Sequence, residues 1–243
     1  MDRRVPRTYR GTVDAVVVVM LDTTQPLAQI VLDFPETAAV FQRLTLDFCC
    51  HGHQRLAEAC ANAGYNEIAI VRELEAAIDA RAKAAADPRN LATPQLIRHI
   101  ITEHHGYLRV ALPTAVSLAA KVAAVHGVRD ARLYDLATAV RELSEALLPH
   151  LDDEEAVLFP AMQAATADRA AIAGMLASME SEHQAVGVLL AEIRSAANDY
   201  IEPAWACRTY RTLFAELVRL EADTLRHVHL ENHVLAPRFG GVS

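Results

Sequence analysis

Polar residues interrupt an apolar stripe at the same phase in three stretches of the chain. Leu220, Thr224, His227, Glu231 and Val234 recur at 4-3-4-3 spacing, and Leu143, Leu147, His150, Glu154 and Val157 follow the same rhythm. Between them, Met175, Met179, His183, Val186 and Leu190 share a face. This period is that of an amphipathic α-helix facing a core. It predicts four long helices, over about 95–126, 130–158, 168–197 and 205–235, with a loop at 198–203 before the last. Pro160 and Pro237 are expected to stop the second and fourth helices, because proline lacks the N–H that a helix interior needs. Upstream the pattern is shorter-ranged: Pro35, Glu36 and Thr37 open one helix, residues 47–52 break the chain, and Asn66 caps a helix running toward Ala84. Residues 85–94 hold two prolines and no periodicity, and read as a linker. The organisation expected is a flexible extension over 1–23, a small helical unit over 24–84, the linker, and a four-helix bundle over 95–240.

Composition narrows this to an all-α protein. Hydrophobic residues make up 52% of the 243, yet only 5% are aromatic and nine are glycine, which favours packed helices over sheet. A net charge of −8 argues against nucleic acid or an anionic membrane as the main partner. The apolar run 16–21 is too short to span a bilayer. Arg3, Arg4, Arg7 and Arg10 precede it, but no small-residue cleavage site follows as a signal peptide requires, and Met20 is the expected native start. Four cysteines do not form a disulfide framework, so a reducing cytoplasm is the expected compartment. A helical unit of some 60 residues has a small core, which makes a homodimer through it an expected option.

The strongest chemical signal is a duplicated motif. Residues 150–160 and 227–237 both fit H-x3-E-x2-V-L-x-P, contributing His150 with Glu154 and His227 with Glu231. Each is preceded by another histidine at nearly equal distance: His105 lies 45 residues before His150, and His183 lies 44 before His227. Residues i and i+4 share a helix face, so each His/Glu pair can reach one ion, or its carboxylate can bridge to a second. Imidazole and carboxylate together suit iron among other ions. Two helical hairpins of this length form a four-helix bundle with a metal site of inward-pointing side chains. The acidic run 152–155 reads as a solvated face from which only Glu154 joins the stripe.

These residues resemble the hemerythrin-like di-iron bundle: H-x3-E, then E-x-E-H at 180–183, then H-x-x-L-E-N at the end. Upstream, Gln25-Pro26-Leu27 followed by Asp47-Phe48-Cys49-Cys50 resembles the cysteine-bearing N-terminal domain of the iron–sulfur cluster repair (repair-of-iron-centres) family. The resemblance covers about 24–240. It implies a cytoplasmic protein with two non-haem irons, oxo- or hydroxo-bridged, that restores iron–sulfur clusters damaged by nitric oxide or peroxide. Its partners would be the damaged iron–sulfur proteins, with nitric oxide or oxygen as small ligands. Its iron ligands would be His105, His150, Glu154, His183, His227 and Glu231, with both glutamates bridging, and its cysteine pair would be Cys49 and Cys50 for redox or iron transfer. With two His and two Glu oxygens per iron, and without the fifth His of the oxygen carriers, the iron would be labile. Where the family continues the cysteine pair with two glycines, this chain has His51-Gly52.

Several assignments stay open at this level. The resemblance points to His105 as first ligand, whereas Thr102-Glu103-His104 parallels Ser181-Glu182-His183 and favours His104. His104 and Glu182 are the expected residues behind the ligands. His99 is expected in solvent, and His229 and His233 at the surface or just behind the site. A loop-to-helix junction would make the cysteine pair reactive by lowering a thiol pKa, with Cys60 and Cys207 structural. The rivals to cluster repair are a nitric oxide reductase using the cysteine domain as electron relay and a hemerythrin-like oxygen or redox sensor.

Overall fold

The computed structural model describes residues 21–79 and 88–240, so the arginine-rich start, Met20 and the stretch 80–87 lie outside the described residues. The described chain is helical, and its only β-type pairing is an isolated bridge between Pro26 and Arg55.

The first bundle helix runs Thr93–His126. The second spans 132–163 and the third Arg169–Ala196. The fourth starts at Arg208 and ends in a 3-10 turn, Ala236–Phe239. The first helix packs against the second and fourth, and the second against the third. Thr93–His126 is long and apolar enough to cross a membrane by length and composition alone. In the bundle, its Leu96, Ile100, Leu108, Leu112 and Ala119 are buried against the other helices. Two apolar layers fill the interior. One is built around Leu112, Leu143, Leu190 and Leu217, the other around Ile100, Phe159, Leu176 and Leu235. A layer of buried histidines and glutamates carried by the same four helices completes the interior.

Three helices depart from α geometry where they carry that layer. Ile100–His105, Glu154–Leu158 and Glu231–Leu235 are π turns. A π turn inserts a residue into the helix and turns the following side chains onto a new face, and such turns occur mostly at functional sites. This overturns two expectations from the simple helical period. Val157 is 51% exposed and Leu158 takes its place in the core at 5%. Pro160 does not stop the second helix, which resumes as Phe159–Gln163 with the proline in its first turn. A missing N–H costs least where the hydrogen-bond register is changing from π back to α.

The N-terminal unit packs α1 (Leu27–Asp33), α2 (Ala38–Arg43), α3 (Leu56–Ala63) and α4 (Glu67–Asp79) around Leu27, Ile30, Phe41, Phe48, Leu56 and Leu74. Asn66 accepts from the N–H of Ala69 through its side chain at 3.1 Å, as an N-cap does. Val228 of the fourth bundle helix belongs to the same apolar cluster, so this unit is seated on the helix that carries His227 and Glu231. Between α2 and α3 the chain makes the turn that holds Cys49 and Cys50. Gly52 is required there, because a Cβ would lie 2.4 Å from the carbonyl oxygen of Phe48 and 2.9 Å from His233 Nε2.

Candidate metal centre

Six side chains on the four bundle helices converge in the buried layer. His105 ends the first π turn, and Glu154 and Glu231 open the other two. His150, His183 and His227 project from the adjoining α-helical turns. All six are at most 5% exposed.

They sort into two groups that share both carboxylates: His105 and His227 with Glu154 and Glu231, and His150 and His183 with the same glutamates. Within each group the donor atoms lie within 4.8 Å of one another, the span of ligands on one ion at roughly 2.0–2.2 Å. The imidazoles meet at Nε2, 3.1 Å apart for His105 and His227 and 3.2 Å for His150 and His183. Each glutamate turns one oxygen to each group. Glu154 Oε2 is 3.5 Å from His105 Nε2, while its Oε1 is 3.4 Å from His150 Nε2. Glu231 Oε1 is 2.9 Å from His227 Nε2, while its Oε2 is 3.2 Å from His183 Nε2.

The charge balance of this layer calls for cations. These nitrogen–oxygen approaches are short but lack hydrogen-bond geometry, and all four carboxylate oxygens are buried without a hydrogen-bond partner. Burying carboxylates unsatisfied is costly. Burial and the neighbouring Glu231 push the Glu154 carboxyl well above its ordinary value. Burial works the same way on Glu231, but His227, His105 and His183 outweigh it and hold it well below. Burial lowers His150, and takes His227 down to about 4. The imidazoles of His150 and His227 are thereby favoured in the neutral form, the form that ligates a metal. Shared carboxylates, converging imidazoles and orphaned oxygens make this donor set a fit for metal ions.

Behind the ligands, three imidazoles are oriented through Nδ1, which fixes the tautomer that leaves Nε2 free. His105 faces Glu155 at 2.9 Å, His150 faces Glu182 at 2.7 Å, and His183 faces the side-chain oxygen of Asn232 at 2.9 Å. His227 Nδ1 has no partner. Glu155 is thus a correction to the solvated-face reading: it holds His105 and accepts a hydrogen bond from Arg109 at 3.0 Å. The expected role of Glu182 matches its position behind His150. His104 lies outside both groups, with its ring nearly parallel to that of His227 at 6.0 Å and its Nδ1 3.1 Å from Asp223. The sequence marked Asn232 only as the last position of the H-x-x-L-E-N pattern and gave it no role.

Asn232 also leads to the cysteine turn. Its side-chain N–H donates to the Cys49 carbonyl at 3.3 Å, and His233 Nε2 donates to the same oxygen at 2.7 Å. The Cys50 thiol donates to the His183 carbonyl at 3.5 Å. His229 is buried, with Nδ1 donating to the Phe48 carbonyl at 3.2 Å, so the surface reading fails for it and His233 is half-buried. Both histidines are turned inward by the unit seated on their helix. His99, expected in solvent, is half-buried beside His104 at 5.9 Å.

Within the turn, one oxygen of Asp47 accepts from the N–H groups of Cys49 and Cys50 at 3.0 and 2.8 Å and from the Cys49 thiol at 3.2 Å. His51 meets the other oxygen at 2.7 Å, so it is a partner of Asp47 and points into solvent. The two sulfurs are 3.8 Å apart and both are free. Helix α3 begins only at Leu56, so the pair has no helix N-terminus to activate it. The Cys50 thiol, burial and Asp47 instead push the Cys49 thiol well above its ordinary value. Cys60 is buried, and Cys207 is exposed at the N-cap of the fourth helix, 3.2 Å from His126.

Residues 96–239 match the hemerythrin HHE cation-binding domain, and residues 23–78 match a domain of unknown function, DUF542. The chain is 35% identical over 214 residues to the iron–sulfur cluster repair protein YtfE of Enterobacter sp. (strain 638), covering 88% of this chain and 96% of that protein. Identity to the protein of the same name from Cronobacter sakazakii is also 35%, over 88% of this chain and 95% of the relative. For the Escherichia coli O1:K1 protein it is 34% over 219 residues, or 88% and 96% of the two chains. A metal-type donor set inside a hemerythrin HHE bundle, joined to the same N-terminal domain along nearly the whole of these relatives, leads to one conclusion: the chain belongs to the family of two-domain hemerythrin-fold proteins that includes the iron–sulfur cluster repair proteins YtfE.

Proposed function

We propose that this protein repairs damaged iron–sulfur clusters by supplying iron, with iron–sulfur proteins as its targets. The observation that carries the reading is the pair of buried carboxylates, each turned to two imidazole pairs and otherwise without a partner. His105, His227, Glu154 and Glu231 would hold one iron, and His150, His183 and the same glutamates the other. When bound, the irons are both the stored cargo and a redox-capable pair. The protein's own part is to aim four imidazoles and two shared carboxylates at one buried layer and to exclude water from it.

Two imidazoles and two shared carboxylates give each ion a small ligand set. Such a set binds ferrous iron without caging it, which suits a donor better than a permanent cofactor. The relatives named for cluster repair share both domains with this chain, which supports the same task here.

The test begins with anaerobic loading and metal analysis. Two irons per chain are expected, with oxo-bridge charge-transfer absorption after oxidation in air. The loaded protein is then given to an iron–sulfur enzyme whose cluster has lost iron. Recovery of that enzyme's activity, matched by iron lost from the donor, is the expected result. Recovery that is equal with the metal-free protein would overturn the proposal.

A further inference from the structure

A cavity of about 360 Å³ opens where the N-terminal unit meets the first and fourth bundle helices. Its apolar wall comes from α1 and the start of α2, including Val31, Leu32 and Ala38. Its polar wall is His99, Glu103, His104, Asp223, Arg226 and His229. This wall adjoins the metal centre, because His104 lies against the ring of His227 with centroids 6.0 Å apart.

Three features of the polar wall fit a cation. First, the Nδ1 of His104 is engaged by Asp223 at 3.1 Å, which leaves Nε2 as the free lone pair. A carboxylate behind an imidazole is the arrangement that prepares histidine to ligate metal. Second, the other oxygen of Asp223 is buried without a partner. Third, His229 is 4% exposed with Nδ1 tied to the Phe48 carbonyl, and its Nε2 is also unpartnered. These donors are not preassembled as tightly as the main centre, since the compact His, Cys and carboxylate groups among the described residues are the two halves of that centre and the Asp47, Cys49, Cys50 turn. A loose set of this kind suits a passing ion.

The main centre is unequal in a way that meets this cavity. His105, His150 and His183 are each held through Nδ1, whereas His227 is not. The unheld imidazole is the one beside His104. An ion between His105 and His227 therefore has the less firmly oriented ligand pair, and one of that pair lies against a wall residue of this cavity.

We propose that the cavity is an iron relay: ferrous iron leaving the His105/His227 side passes to His104 and Asp223, with His229 as an inner donor, before it reaches solvent. The inference rests on the iron-donor reading and names the route and the ion released first. The step is ligand exchange without change of oxidation state. The ion trades His227 and a glutamate oxygen for His104 Nε2 and the Asp223 carboxylate, and no proton need leave His104.

The test follows capture of ferrous iron by an excess of a coloured chelator, using the anaerobically loaded full chain. Wild-type protein should release one of its two irons in a faster phase. Asp223→Asn should still bind two irons but slow that phase on the order of tenfold, the usual loss when a carboxylate behind a ligating imidazole is removed. Asp223→Glu should restore the rate, which a merely structural defect would not allow. Arg219→Ala, whose side chain is exposed on the same helix outside the cavity wall, should keep the fold and change release little, as a control for general loosening. Unchanged or faster release in Asp223→Asn, with two irons still bound, overturns the relay. A wild-type chain that binds no iron overturns the donor reading instead, so the two failures are distinct.

Discussion

The two ends of the metal centre share their carboxylates and differ in what stands behind the imidazoles. At the His150/His183 end both rings are held, by Glu182 and by Asn232, and Asn232 is itself tied to the cysteine turn. At the His105/His227 end one ring is held by Glu155 and the other has no acceptor. The first end is therefore braced by neighbouring chain, with a cavity of about 160 Å³ behind Asn232, while the second adjoins a cavity of about 360 Å³. Identical donor types can thus produce one firm and one yielding site, because ligand orientation is set by the groups behind the ligands.

The largest effect should come from what the ends have in common. Glu154→Ala or Glu231→Ala removes an oxygen from both groups at once, so each variant should lose both ions. Metal analysis after anaerobic loading checks this, and retention of two irons by either variant would break the shared-carboxylate geometry. The metal-free proteins should behave differently. Glu154→Gln relieves two buried carboxylates of their mutual repulsion, so without metal it should unfold at a higher temperature than the wild type.

Next come substitutions that separate the ends. Asn232→Ala should weaken the His183 side on the order of 10–100-fold in metal affinity. Glu155→Gln should do the same at the His105 side, leaving the other ion in place. Asn232→Ala has a second expected effect, since it leaves the Cys49 carbonyl held by His233 alone: thiol-reagent labelling of Cys49 should speed up in Asn232→Ala and stay unchanged in Glu155→Gln. Equal labelling in the two would detach the cysteine turn from the metal centre.

Much of this architecture was legible in the sequence. The 3.6-residue rhythm marked the bundle helices, and the duplicated His/Glu spacing marked five of the six converging side chains without help from geometry. The choice between His104 and His105 was not legible because both lie in the same π turn and both are buried. Straight-helix periodicity cannot anticipate an inserted residue, which is also why Val157 was assigned inward. Glu155 and Asn232 were missed for a related reason: they sit beside ligands in sequence but act across to a different helix. The inward turn of His229 depends on the N-terminal unit seated on its helix, a long-range contact that no local pattern reports.

A smaller effect should appear in acid. Burial places His227 at about 4 and His229 at about 3, both below their ordinary value of 6.5. A histidine with a depressed folded pKa contributes stability above its unfolded value and loses it as pH falls toward the folded one. The lowered Glu231 acts in the same direction at lower pH, while the raised Glu154 opposes them. Metal-free protein should therefore lose stability progressively from about pH 6.5 down toward 4. Denaturant titration across that window should show a shallower decline in His229→Phe, and an unchanged slope would mean that this ring does not charge on unfolding.

The smallest effect lies furthest from the metal, in the turn that the braced end holds. Asp47 accepts from two backbone N–H groups and a thiol, the role of a capping residue in a loop without a helix. Asp47→Ala should cost about 0.5–2 kcal/mol, the range for losing a capping side chain. It should also lower the Cys49 pKa, because a neighbouring carboxylate disfavours the thiolate. Labelling rate against pH separates the two consequences. A curve shifted to lower pH would mean that Asp47 suppresses the thiolate, and a curve raised at every pH would mean that it only holds the turn closed. Asp47→Asn divides them further, since the amide keeps an acceptor oxygen for the backbone while removing the charge. If Asp47→Asn matches the wild type in stability and matches Asp47→Ala in its pH curve, the same carboxylate both folds the turn and keeps Cys49 protonated. The braced end would then be joined to a quiet Cys49 thiol, and the yielding end would be the one that exchanges its ion.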